Sequence, residues 1–223
     1  MALTKIEASN IAAGAVASSG FIGYTVYTGG ATWLKSTNTP TKIVVEVVGG
    51  GGSSGSGATS WMFAGSGGSA GYVRKYIDVT LLTSATIVVG AGGVKNAGTS
   101  AGNSSWTDNL GTNTLVGGAG GNGTNASAPS THGVGGVAGT ASGGDLNIVG
   151  GDGSYGGASD QMPHTHGSFL STTGSGFRRT VDGYGAATVG PAYGGGAGSG
   201  KGNNATIDGA DGGVGVVIVW EFK

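Results

Sequence analysis

The chain has 223 residues, 53 of them glycine, only 9% charged against a typical ~25%, and a formal net charge of −1. Its ten Lys and Arg are scattered, which leaves no basic stripe for phosphates and excludes a nucleic-acid partner. The absence of cysteine excludes disulfides and thiolate metal sites, and the 37% of apolar residues, gathered into strand-like runs at near-zero net charge, argue against plain disorder.

Residues 1–20 place Ile6, Ile11 and Val16 five apart with small residues between them, a period that fits neither a heptad nor a simple strand. Two readings stand, a frayed tail or a short stalk intertwined with those of other copies, and we take the second. Glu7 and Asn10 interrupt the apolar stretch and no positive n-region precedes it, so we expect no secretory signal. No run approaches the ~18 apolar residues of a membrane span, so we expect no membrane insertion.

The segment Tyr24-Thr25-Val26-Tyr27-Thr28 is β-branched and aromatic and predicts a strand, with a turn at Gly29-Gly30 and a second strand at Thr32-Trp33-Leu34-Lys35. Lys42-Ile43-Val44-Val45-Glu46-Val47-Val48 reads as a central strand and is followed by a glycine-rich loop over 49–71. Residues 72–79 and 86–89 predict further strands, and Ser104-Ser105-Trp106 a short one. From 111 to 213 Gly, Ala, Ser, Thr and Asn dominate without a strict three-residue repeat, which excludes collagen. Residues 214–222 close the chain as a strong strand.

A framework strand about a hundred residues downstream of its partners makes 111–213 an insertion pinned at both ends to one sheet. Structureless loops of that length are uncommon in compact domains. Glycine-rich chain can instead form polyproline-II-type helices with three residues per turn, which lack internal hydrogen bonds and pack side by side through their backbones. The expectation is therefore all-β. It comprises a small β-sandwich framework over 21–223 and a glycine-rich insertion able to stack as such helices. Within the insertion, 158–193 is a distinct loop module with larger side chains.

The order Tyr24…Trp33…Pro40-Thr-Lys42-Ile-Val-Val-Glu-Val-Val-Gly49-Gly-Gly-Gly resembles the glycine-rich domain of bacteriophage tail fibre and receptor-binding proteins. So do Gly68-Ser-Ala-Gly71-Tyr72, Val88-Val-Gly90-Ala-Gly-Gly93, Gly102-Asn-Ser-Ser-Trp106 and Gly212-Gly-Val-Gly215-Val-Val-Ile-Val. The segment from Ile6 to Val16 is similar to the Ile-rich stretches of trimeric phage fibres. The resemblance implies a homotrimeric virion fibre or adhesin, made in the host cytoplasm. It would join other tail or fibre proteins through residues 1–20 and contact a host-surface glycan, lipopolysaccharide or outer-membrane protein. A purely structural virion fibre is the second reading, and ice binding by flat glycine helices the third.

Candidate contact residues are Trp61 and Phe63 in a Gly/Ser loop, and Phe169, Phe177, Arg178, Arg179 and Tyr184 in the later module. Exposed rings offer flat faces for sugars, and an Arg pair can fork onto phosphate or carboxylate; the same aromatics could instead cap the module as a small core. His164 and His166 stand two apart, so on extended chain they share a face. That motif could chelate one metal, but exposed or ligand-contacting histidines are the plainer reading, and no metal or cofactor is assigned. Trp33, Trp106 and Trp220 sit in strand contexts and are read as core. Gly200-Lys201-Gly202 lacks the helix and Ser/Thr of a nucleotide loop. Asp145, Asp152, Asp160, Asp182, Asp208 and Asp211 lie in turn-like sequence with no pair singled out, so we expect a binding protein and not an enzyme.

Overall fold

The computed structural model describes residues 20–57, 60–95, 98–126, 132–156, 167–171, 186–203 and 206–223. Among them the regular structure is all strand. The β-branched run β3 (Lys42–Val48) pairs along its whole length on both sides, with β5 (Tyr72–Asp78) and with β12 (Val216–Phe222). Val48 lies opposite Val216, and Trp220 opposite Val44. The carboxy-terminal strand is thus clamped to the strand expected to hold it.

Two antiparallel five-stranded sheets form the framework. The first has the order β1-β12-β3-β5-β10, with β1 at Phe21–Tyr27 and β10 at Leu146–Ile148. The second has the order β2-β6-β7-β8-β9, from Ala31–Leu34, Ser84–Val88, Ser104–Asp108, Thr114–Gly117 and Ala141–Ser142. Alternate residues of each sheet meet between them. Ile43, Val45, Val47, Val73, Ile77, Val217 and Val219 face Trp33, Ile87, Trp106 and Leu115, all buried. The Trp33 and Trp106 rings lie 6.4 Å apart, and Trp33 Nε1 donates to Glu221 Oε1 at 2.9 Å. β8, β9 and β10 fall inside the 111–213 stretch, so that stretch contributes framework strands as well as glycine.

The strands run on into glycine. β3 continues as 49–57, and 64–71 leads into β5; β6 continues as 90–95; β8 continues as 117–126, and 133–140 leads into β9; β10 continues as 149–156, and 207–215 leads into β12. These segments are bonded laterally with a period of three. From 64–71, the N–H groups of Gly65, Gly68 and Gly71 donate to the carbonyls of Thr124, Gly121 and Gly118. Those of Ser66 and Ser69 donate to Ser154 and Gly151, and those of Gly67 and Ala70 to Ala197 and Gly194. One segment therefore bonds to three different neighbours in rotation, which is the signature of three residues per turn. Segment 49–57 does the same: Gly49, Gly52 and Gly55 donate to Gly71, Gly68 and Gly65, while Gly51, Ser54 and Gly57 donate to Gly213, Ala210 and Ile207. The bundle is wider than the 111–213 insertion, because 49–57, 64–71 and 90–95 belong to it.

Burial follows the same period. Segments 49–55, 64–71 and 194–200 are buried at every residue and hold nothing larger than serine. Around them, 133–140 exposes Val134, Val137 and Thr140, and 207–215 exposes Asp208, Asp211 and Val214, three apart in each case. A Cβ added at Gly52 would stand 1.8 Å from the carbonyl oxygen of Gly121, and one at Gly68 2.1 Å from that of Val137. The missing side chain is what lets Cα approach the neighbour's carbonyl. Because the obstructing atoms are backbone, no rotamer change relieves the clash. Gly52→Ala should cost about 3 kcal/mol or more, whereas Gly29→Ala, which meets nothing within 4 Å, should stay within about 0.5 kcal/mol of wild type. Denaturant titration of the two variants checks this, and equal effects would contradict it.

Candidate binding surface

The alternation of outward and returning segments gives the molecule two poles. Gly57 and Ile207 exchange backbone hydrogen bonds, Ala126 N–H donates to Ser56, Thr124 N–H to Val134 and Gly156 N–H to Gly133. These residues form the far layer of the bundle. Beyond it, β4 (Ser60–Phe63) pairs with β11 (Lys201–Asn203) in a two-stranded ribbon. At the opposite pole Phe21 pairs with Phe222, and Lys223 N–H donates to Gly20 O at 3.0 Å. The chain thus enters and leaves the framework at the end away from the glycine tip.

Trp61 and Phe63 stand on β4 at the tip; their side chains lie outside the described residues. Phe177, Arg178, Arg179, Tyr184, His164 and His166 also lie outside them. Of the module at 158–193, residues 167–171 and 186–193 are described. Thr188 exchanges backbone hydrogen bonds with Gly198, so the later part of the module joins the bundle close to β11.

Phe169 does not stand at the tip. It packs on the outer face of the first sheet, its ring 4.4 Å from that of Tyr72, with 58% of its surface exposed. Leu170 beside it packs against a second small core of Val48, Ala70, Tyr72 and Val216. The module therefore covers one half of that face. Phe169 both caps the core and presents a ring to solvent.

The other half of the face carries groups the sequence reading did not single out. Strand register aligns Tyr24, Trp220, Val44 and Tyr76 in one row, Val26, Ile218, Glu46 and Arg74 in the next, and Phe21, Phe222, Lys42 and Asp78 at the pole. Glu46 organises them. Tyr72 Oη donates to its Oε1 at 2.7 Å and Trp220 Nε1 to its Oε2 at 3.0 Å, while Arg74 Nε stands 4.0 Å from Oε1. Held in this way, the Trp220 indole packs against Tyr24 at 4.9 Å and Phe21 at 6.2 Å. Trp220, read from its strand context as core, is thus half-buried on the outer face and no part of the core between the sheets. Val217 and Val219 face that core, and the period-two alternation of β12 turns Ile218, Trp220 and Phe222 to the other side. That alternation was the signal in the sequence.

Among the described residues no group of three or more His, Cys, Asp or Glu could hold a metal ion. No described helix is long and apolar enough to cross a membrane. The glycine-rich domain family matches residues 25–220, from within β1 to the indole of β12. The chain belongs to the glycine-rich domain family. No curated protein matches it. In this glycine-rich domain, the matched span covers both the sandwich and the bundle, so the two form one family unit.

Burial raises the pKa of Tyr72, and the hydrogen bond to Glu46 and that residue's charge raise it further. In the unfolded chain a tyrosine ionises near pH ~10, whereas Tyr72 in the fold still holds its proton there. Its contribution is therefore complete below about pH 10 and is lost as pH rises beyond it. The melting temperature should fall steeply above that pH. In Tyr72→Phe the alkaline fall should be shallower, with about 1–2 kcal/mol lost at neutral pH through the missing donor to Glu46. Thermal melts of both proteins from pH 7 to 11 check this, and parallel alkaline slopes would contradict it.

Proposed function

We propose that this glycine-rich domain is the distal part of a phage-type tail fibre or virion adhesin. It binds a host-surface glycan, lipopolysaccharide or outer-membrane protein and performs no catalysis. The polarity of the fold carries the reading. Gly20 and Lys223 meet at one pole, while the β4–β11 ribbon lies beyond the far layer of the bundle at the other. A bundle whose buried segments hold only Gly, Ala and Ser tolerates little change there, which leaves its exposed positions and its tip free to vary. That is the division of labour expected of a binding module whose specificity resides in loops.

In this reading residues 1–20 join other tail or fibre proteins and gather three copies in the virion. Three weak tip contacts then act together, and avidity rises without any single strong site. Trp61 and Phe63 supply flat faces to sugar rings at the tip. Phe177, Arg178, Arg179 and Tyr184 of the 158–193 module add rings and a guanidinium pair suited to phosphate or carboxylate.

Fluorescently labelled protein should decorate intact bacterial cells of a susceptible strain. Trp61→Ala with Phe63→Ala should weaken that binding about tenfold or more, as loss of an aromatic anchor does. Arg178→Ala with Arg179→Ala should weaken it preferentially on cells with phosphorylated lipopolysaccharide. Labelling that survives both double substitutions would overturn the tip assignment. An absence of cell binding, together with antibody labelling of assembled virions, would favour a purely structural fibre.

A further inference from the structure

The aromatic half of the first sheet's outer face is a large apolar surface with no described element upon it. Phe21 is 57% exposed, Tyr24 59%, Val26 41% and Tyr76 50%. Among the described strands β1 is at the edge of its sheet, with β12 on one side only. Solvated faces of antiparallel sheets ordinarily carry polar residues at these positions. Contiguous exposed apolar area of this kind marks a contact surface.

We propose that this face, centred on Phe21, Tyr24 and Trp220, is the interface through which copies of this chain associate. The inference rests on the homotrimer in the reading above and is independent of any receptor. Three observations choose a second copy as occupant. First, residues 1–19 join the framework at Gly20, directly before Phe21, so copies gathered through that segment would meet with their β1 strands adjacent. Second, two of the hydrogen-bond donors on the face are spent within it. Trp220 Nε1 and Tyr72 Oη both donate to Glu46, whose two oxygens they occupy. The Trp220 and Tyr72 rings therefore present apolar surface with their donors already paired, which suits a dry protein contact. Third, apart from Glu46, whose mostly buried carboxylate is held by those two donors, the charges lie at the margin and are of mixed sign. Lys42 and Asp78 stand across from one another in register, with Lys42 Nζ 5.9 Å from the Tyr76 ring centroid and Arg74 beyond Glu46. A charge-poor centre rich in aromatics within a mixed polar rim is the composition of subunit interfaces.

Glu46 is a positioning residue here. By fixing the indole of Trp220 and the ring of Tyr72 it keeps the surface in one shape before contact, which lowers the ordering cost of association.

Light scattering coupled to size exclusion, on the full chain, reads the mass directly. Wild type should elute as an oligomer, and Phe21→Ser with Tyr24→Ser should raise its dissociation constant about a hundredfold. The far-ultraviolet spectrum of the variant should match wild type. Should that variant fail to fold, hydroxyl-radical labelling of wild type serves instead. As concentration rises through association, Phe21 and Tyr24 should become protected. Tyr155, 65% exposed on the bundle, should not. A wild type that is monomeric, a folded variant that keeps the wild-type mass, or labelling of Phe21 and Tyr24 that parallels Tyr155 would each overturn the proposal. Loss of cell binding with an unchanged oligomer would count against the receptor reading alone.

Discussion

The structure depends on backbone hydrogen bonds that cross between glycine segments. A three-residue turn sends successive N–H groups in three directions, so none can be satisfied within its own segment. Segment 64–71 shows the consequence most fully, with donors reaching three neighbours in strict rotation. Every residue of it is buried, and an unpaired buried amide costs about 1–3 kcal/mol. The bundle is therefore interdependent, since removing one segment would orphan donors or acceptors on several others.

The sandwich makes that arrangement accessible. Glycine loses more conformational freedom on ordering than any other residue, and isolated segments of this kind have no internal bonds to offset the loss. Here β3, β5 and β12 deliver their glycine extensions already side by side, at the ~4.8 Å spacing of neighbouring strands. The apolar core around Trp106 and Ile43 stabilises the framework, and the framework places the first hydrogen bonds of the bundle in register. Asparagines extend the lattice where no segment is available. Asn122 and Asn125, three apart, accept from the N–H groups of Ser53 and Ser56, and Asn103 accepts from that of Ala119.

The strands were legible because their residues are unmistakable. Lys42–Val48 and Val216–Phe222 are β-branched runs bounded by glycine, and their pairing follows from the need to close the insertion. The three-residue stacking was legible from composition as a possibility of the chain, but its membership was not. Gly49-Gly50-Gly51-Gly52 reads locally as a loop, and only its lateral partners reveal it as the centre of the bundle. β4 was hidden because Ser60–Phe63 interrupts a Gly/Ser stretch and pairs with β11, well over a hundred residues away. On the candidate surface, Phe169 was found by its type, whereas Tyr24, Tyr76 and Trp220 were absorbed into strands. A period-two reading assigns them to one face, yet which face meets the second sheet is a tertiary fact. Glu46, a lone carboxylate in an apolar strand, was the local anomaly that pointed there.

Amide hydrogen exchange tests the lattice most directly. With lateral bonding as described, the amides of 49–55 and 64–71 should exchange as slowly as those of β3 and β12, through opening that engages the whole domain. Exchange of those glycine amides at unprotected rates, while β3 and β12 stay protected, would contradict it.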